Sequence, residues 1–508
     1  MITDDRDHML KRIPFYPFLF GLYPVLALAA HNIHEIALSD ILRPLVISLM
    51  LAGVILCLAR LILRDWDRAA LVSTIILLLF FSYGQIYAEL KNIQLGGVIL
   101  FRHRTLGVLW LGLMVLGVIW AWRWLKKPAA WTGWLNLLSA LLLIYPLSII
   151  GLDAVSKVTA SRKSIQSASA AGLDSKTLPD VYYIILDGYG RQDLLKRKFG
   201  YDNSSFIDGL RQRGFYVADC AQSNYAFTEL SLASSLNYNY LNDSDSGFPT
   251  EDTLDQLIQH GAVRSFFEQH GYKIYAFPTG FPWTEWKDAD VYYGEVTSGL
   301  AWNDFETLLA QTTLLRIPLE LTQLKYTINI GSNRRTRILA ELENLKNIPN
   351  RRGSKFVFAH IVAPHQPYVF GANGEAFYQD DNTATNDEKR MAYADQARFI
   401  SHEILGIIDA IQSQSDRPPI IIIQGDHGPG YGLVSRAERM QNLSAYYLPG
   451  IDASRVLYPT ITPVNSFRIV LDKYFGQTLP LLQDRSDYST PDTPTDFIPI
   501  QNACLSQP

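Results

Sequence analysis

Hydrophobic and polar positions divide this chain into two parts. Up to about residue 151, long apolar runs follow one another with only short polar intervals. Five of them, near 13–31, 42–63, 69–88, 105–124 and 131–151, approach the roughly 20 residues that cross a bilayer as a helix. From residue 181 the apolar runs shrink to strand length. Val181 to Leu186, Phe215 to Ala218, Tyr272 to Phe277, Phe356 to Val362 and Ile420 to Ile423 read as strands, the last as a strand buried on both faces. Helical stretches at 204–213, 254–270 and 392–414 lie between them. This alternation predicts an α/β/α sandwich with a mostly parallel central sheet.

The pattern therefore predicts a five-helix transmembrane domain over 1–151, a linker over 152–180 rich in Ser, Ala and Lys, and a globular domain over 181–508. One stretch of the globular part stands out. Phe305 to Leu324 is apolar with few charges. It reads first as a core helix or a cover over the active site, and second as a helix lying on a membrane surface.

Charge sets an orientation. Lys and Arg cluster at Arg6, Lys11 and Arg12, at Arg60, Arg64 and Arg68, and at Arg123, Lys126 and Lys127, while the interval from His31 to Asp40 has none. Lys91, Arg102 and Arg104 run against this bias. The majority places the N-terminus in the cytoplasm and everything after residue 151 outside. The first run is not a cleaved signal, because it is too long, lacks a small-residue cleavage site and is followed by further spans. The net charge of −4 gives no basis for a nucleic-acid partner. Of three cysteines, Cys57 lies in an apolar run and reads as packing; Cys220 and Cys504 can either pair in an oxidising compartment or remain free.

Candidate chemistry gathers at strand ends. Ligands of open α/β sheets lie outside the carboxyl ends of the strands. Asp187 follows the first strand, and Asp426 with His427 follows Ile420 to Ile423. Thr228 falls at or near the start of a helix, where unpaired N–H groups favour phosphate. A metal ion on its oxygen would make it a nucleophile. Read singly, Thr228 is an N-cap, Asp426 caps a following helix, and His427 is a loop residue. His360, inside the fourth strand, reads as a core histidine.

Taken together, Leu186-Asp187-Gly188, Thr228 with Ser231, Ala363-Pro364-His365-Gln366-Pro367-Tyr368 and Gly425-Asp426-His427-Gly428 resemble the alkaline phosphatase superfamily in its sulfatase-like membrane branch, which includes lipoteichoic acid synthases and phosphoethanolamine transferases. The resemblance implies that Asp187, Thr228, Asp426 and His427 ligate one divalent metal, manganese or zinc. It implies that Thr228 is the catalytic nucleophile and carries a covalent phospho-intermediate, and that His365 contacts the substrate phosphate or assists the leaving group. The implied partners are a membrane phospholipid donor and an envelope glycan or glycolipid acceptor, at a bacterial cytoplasmic membrane. A hydrolase of the same fold and a non-catalytic envelope-binding domain are the alternatives. Two departures matter. Asp187 stands where those transferases usually have glutamate, and no histidine follows His427, which argues against the usual second metal site. The oxidisable Cys or Ser, with the Pro and Arg that sulfatases need to make formylglycine, is missing around Thr228, which argues against sulfate-ester hydrolysis.

Overall fold

The computed structural model describes residues 13–33, 36, 38–91, 93–95, 98–125, 128–163, 178–243, 248–294, 302–322, 330–379, 384–490, 493–502 and 504. The expected linker between 164 and 177, and the basic residues Arg6, Lys11, Arg12, Lys126 and Lys127, lie outside them.

The chain opens with helices α1 (Tyr16–His31), α2 (Leu42–Leu63), α3 (Trp66–Leu90), α4 (His103–Ile119) and α5 (Ala129–Lys163). There follow β1 (Val181–Leu186), α6 (Gln192–Phe199), α7 (Ser204–Gln212), β2 (Tyr216–Val217), α8 (Thr228–Ser235), α9 (Glu251–Gln259), α10 (Ala262–Gln269), β3 (Lys273–Ala276) and β4 (Val291–Tyr292). Helices α11 (Asp304–Thr312) and α12 (Arg316–Leu321) precede α13 (Ile330–Asn347), β5 (Lys355–Ile361), α14 (Asn386–Gln414) and β6 (Ile420–Gln424). Last come α15 (Arg436–Arg439), β7 (Ser444–Tyr447), α16 (Pro463–Phe475), β8 (Ser486–Thr490) and β9 (Thr493–Ile500).

Two compact units result: 1–159 with 299–330, and 160–298 with 331–508. In the first unit, the helical regions Leu38–Leu63, Trp66–Leu90, His103–Trp124 and Ala129–Asp153 are long and apolar enough to cross a membrane. The fifth expected span is shorter. Helix α1 has 16 residues, about 24 Å of rise, against a hydrocarbon core of about 30 Å. Cys57 is exposed on α2 rather than packed.

The apolar stretch from Phe305 belongs to this first unit. Phe305 is buried among Val25, Ala29, Ile36 and Ile41. Glu306 forms a bidentate ion pair with Arg43. Buried His103 lies between the Tyr83 hydroxyl at 2.9 Å and the Glu320 carboxylate at 2.8 Å. Helices α11 and α12 are thus tied to α2 by an ion pair and to α3 and α4 by hydrogen bonds, Arg316 Nη1–H to the Gly84 carbonyl and His103 with Glu320, as well as by apolar contact. The connection between α11 and α12 meets α3 backbone to backbone. The Leu314 N–H donates to the Phe80 carbonyl at 2.9 Å, and a Cβ at Gly84 would stand 2.1 Å from the Gln311 carbonyl oxygen. Gly84→Ala should therefore push this connection off α3 and lower the thermal midpoint of the purified protein, at a cost of about 1–3 kcal/mol for overpacking. An unchanged midpoint would show that the contact is loose.

The second unit is built on a seven-stranded sheet of order β2-β7-β6-β1-β5-β3-β4. Strand β1 runs parallel to both β5 and β6, and β3 runs parallel to β5 and β4. Only β7 pairs antiparallel, with β6 and β2. This is the mostly parallel, helix-flanked sheet that the alternation predicts. Strands β1, β5 and β6 are buried along their whole length, which is why they read as continuous apolar runs. One face packs Ile184, Leu186, Val357 and Ile423 against α14; the other packs Ile185, Phe356, Phe358 and Ile422 against α8, α10 and α16. The expected helix over 254–270 is two helices, α9 and α10, broken at His260-Gly261. Cys220 and Cys504 form a disulfide with Cα atoms 5.6 Å apart. Replacing both with serine should cost about 2–4 kcal/mol, read as a fall in thermal midpoint that reductant reproduces in the unsubstituted protein.

Candidate metal-binding active site

The register of the sheet sets the site. Ile185 pairs with His360 of β5 on one side and with Gln424 of β6 on the other. The carboxyl ends of these three adjacent strands are therefore level, and Asp187, His360 and Asp426 meet there. One ligand-type atom from each lies within 4.8 Å of the others. His360 follows Phe356 and Phe358 on the sheet face covered by α8, so its ring enters the same space as the first residue of that helix.

Gly188 turns the chain after β1 with φ of 70°, a left-handed conformation that side chains resist. Its N–H donates to Asp426 Oδ1 at 2.9 Å. The His427 Nδ1–H donates to the Gly428 carbonyl at 2.8 Å, assigning the tautomer from its acceptor. The lone pair of Nε2 then faces the site. Around that nitrogen lie Thr228 Oγ1 at 3.2 Å, Asp426 Oδ2 at 3.4 Å and Asp187 Oδ1 at 3.7 Å. Thr228 is the first residue of α8, and Phe227 occupies the cap position with no side-chain cap. The hydroxyl is thus turned toward His427 instead of serving as an N-cap. His365 stands beside the cluster with its ring centroid 6.3 Å from that of His427.

Several buried atoms have no hydrogen-bond partner: Asp187 Oδ1, Asp426 Oδ2 and both ring nitrogens of His360. Uncompensated buried polar atoms are costly. One oxygen from each carboxylate and one nitrogen of the imidazole, converging in one place, fit a divalent cation held by oxygen and nitrogen. Asp187, His360, Asp426 and His427, with the Thr228 hydroxyl, are the groups that could hold it.

Electrostatics agrees with that chemistry. Burial alone would raise the pKa of Asp187, but His365, His360 and His427 hold it well below the usual carboxylate range. Burial and the adjacent Asp187 push Asp426 up to about 6. Burial, then the Arg439 charge, push His427 down to about 3, so its imidazole is neutral and available as a ligand at neutral pH. The proton that competes with a metal is therefore the one on Asp426. Metal affinity should be flat above pH 6 and fall about tenfold for each unit below it. Calorimetric titration at pH 7 and pH 5 checks the sign; equal affinity at both would remove Asp426 from the ligand set.

Two residues of the site escaped the sequence reading. The sequence reads His360 as a core histidine, and it is buried, but the site carboxylates are its neighbours: Nε2 lies 3.4 Å from Asp187 Oδ2. The readable signal was a histidine near the carboxyl end of a parallel strand. Arg439 had no such signal. It is 3 % exposed and donates to the carbonyls of Ala226 and Pro429, at 2.8 Å each. Its Nη2 lies 3.2 Å from His427 Nε2, and its guanidinium covers the Tyr431 ring at 4.0 Å.

The Sulfatase family matches residues 179–452, more than half of the chain and all of the residues just named. The chain belongs to the sulfatase family. Among solved structures, this sulfatase-family chain is similar to the integral membrane lipooligosaccharide phosphoethanolamine transferase A of Neisseria meningitidis, at 14 % identity over 90 % of this chain and 94 % of that one, with a TM-score of 0.39. It is also similar to the C-terminal periplasmic domain of EptC from Escherichia coli, at 11 % identity over 64 % of this chain and 94 % of that one, with a TM-score of 0.41. A 2-O GAG sulfatase matches at 13 % identity over 60 % of this chain and 72 % of that one, with a TM-score of 0.37. No curated protein matches by sequence.

Proposed function

We propose that this sulfatase-family protein is a multi-pass enzyme of a bacterial cytoplasmic membrane, with its catalytic unit outside the cytoplasm. It moves a phosphoryl-linked headgroup, of phosphoglycerol or phosphoethanolamine type, from a membrane phospholipid to an envelope glycan or glycolipid. The observation that carries this reading is Thr228. It is a hydroxyl that cannot become formylglycine, it opens a helix, and it faces a neutral imidazole and two carboxylates. Helices of membrane-crossing length in the same chain favour a lipid donor.

When bound, a single manganese or zinc ion would lower the pKa of the hydroxyl and offset charge on the phosphate. The protein's own groups do the rest. Thr228 Oγ1 forms the bond to phosphorus, and its proton passes to the neighbouring Asp426 carboxylate; Thr228 Oγ1 and Asp426 Oδ2 lie 3.2 and 3.4 Å from the same nitrogen, His427 Nε2. The bond from phosphorus to the glycerol oxygen breaks, and that oxygen takes up the proton that Asp426 received from Thr228, with His365 beside it. The unpaired N–H groups of the first turn of α8 face the transferring phosphate. In the second half, an acceptor hydroxyl attacks the phosphothreonine, its proton passes to Asp426, and as the bond from phosphorus to Thr228 Oγ1 breaks that proton returns to the Thr228 hydroxyl.

The test is incubation of the full-length protein with phospholipid vesicles and a glycolipid acceptor, following diacylglycerol and the acceptor's mass. Release of diacylglycerol with a heavier acceptor is the expected result. Release with free headgroup phosphate alone would make the enzyme a hydrolase. No release from any glycerophospholipid, with metal bound, would overturn the lipid donor.

A further inference from the structure

The first unit contains a cavity of about 520 Å³ between α2, α3 and α11, within the size range of small-molecule sites. On α2 its wall is one helix face, on which Pro44 and Ser48 stand beside a longer row. Arg43, Ile47 and Leu51 are spaced four residues apart, so they lie one above another on the same helix face. This row starts in the first turn of α2 and reaches about 12 Å along it. Phe80 and Phe81 of α3 and Leu309 of α11 complete an almost wholly apolar interior.

One end of this cavity is charged. Arg43, with its side chain 42 % exposed, pairs with Glu306, whose side chain is 9 % exposed. Glu306 is fixed in place because it also closes a capping box with Asn303 at the start of α11. Trp302 lines the cavity near this end, as aromatic residues do at membrane interfaces. The α3 and α11 walls are joined beside the cavity by the backbone contact of Leu314 with Phe80 and by the close approach at Gly84. The cavity therefore has the form of an amphiphile, with a partly exposed ion pair at one end and an apolar channel leading from it along α2.

We propose that this cavity binds one acyl chain of a zwitterionic glycerophospholipid, with the phosphate at Arg43 and the headgroup cation toward Glu306. The choice of headgroup follows from charge: Arg43 and Glu306 present both signs at one end of the cavity, which matches a headgroup that carries both signs. The site deepens the proposed function by giving the donor lipid a place, and its role as a substrate site rests on that reading.

The test uses the full-length protein in nanodiscs of phosphatidylethanolamine containing a trace of the same lipid with a diazirine midway along one acyl chain. Photolabel should concentrate on the half-buried Leu51 and Leu309, with Ile47 at the open side of the cavity, about tenfold over the more exposed Leu61 and Ile62. Ile47→Trp, which fills the channel, and Arg43→Gln, which removes the cation, should each lower that label about tenfold. Even labelling of both sets of residues would overturn the site. So would an unchanged label in Ile47→Trp with an unchanged thermal midpoint. Unlabelled phosphatidylglycerol competing as well as phosphatidylethanolamine would overturn the headgroup assignment. Labelling does not require turnover, so a labelled but inactive Thr228→Ala protein supports the site. Concentrated labelling in an enzyme that releases no diacylglycerol would keep the lipid site and reject the transferase reading.

Discussion

Thr228→Ala should abolish headgroup turnover, by about a thousandfold or more, and leave the fold intact. Thr228 sits at the first helical position with Phe227 at the cap, so the loss of its hydroxyl removes no capping bond. The residue is 7 % exposed, and the change deletes only a hydroxyl and a methyl group. Intact mass spectrometry of protein mixed with phospholipid separates chemistry from binding. The unsubstituted protein should gain one headgroup phosphate, and the alanine variant none. Thr228→Ser, which retains a hydroxyl, should recover part of the turnover. An alanine variant that still gained mass would place the nucleophile elsewhere.

His360→Gln should weaken metal binding by about 10–100-fold, and Asp187→Asn by at least as much, since it also removes a charge. Both residues are almost fully buried, and both have atoms without a hydrogen-bond partner at the site. Elemental analysis after gel filtration reads the metal directly. The thermal shift on adding manganese or zinc reads it a second way, because a ligand that binds only the folded state stabilises it. Metal content in His360→Gln equal to that of the unsubstituted protein, with a normal fold, would return His360 to the core. Chelation of the unsubstituted protein should give the same loss of turnover, restored by the ion.

Much of this was legible in sequence because β1, β5 and β6 are buried on both faces and so carry unbroken apolar runs. The motifs at the ends of β1 and β6 name Asp187, Asp426 and His427, and the structure brings all three together with Thr228 and His365. What was not legible depends on register and partner. Nothing local to Phe356–Ile361 says that His360 is level with Ile185 of β1. Strand β7, Ser444–Tyr447, has no β-branched residue and reads as loop until its pairing with β6 is seen. Arg439 is held by backbone carbonyls, which no sequence displays. The apolar run from Phe305 looks like core from its composition, yet composition cannot say whose core; its partners are Val25, Ala29 and Ile41, more than 250 residues earlier.

That excursion has a practical consequence for anyone preparing the catalytic unit alone. The unit is not a continuous piece of chain, because residues 299–330 belong to its neighbour. A soluble fragment made by cutting before residue 178 and keeping everything downstream would carry α11 and α12 without the helices that cover Phe305, Ala310 and Leu319, and would present those faces to water. The fragment that matches the physical unit omits 299–330.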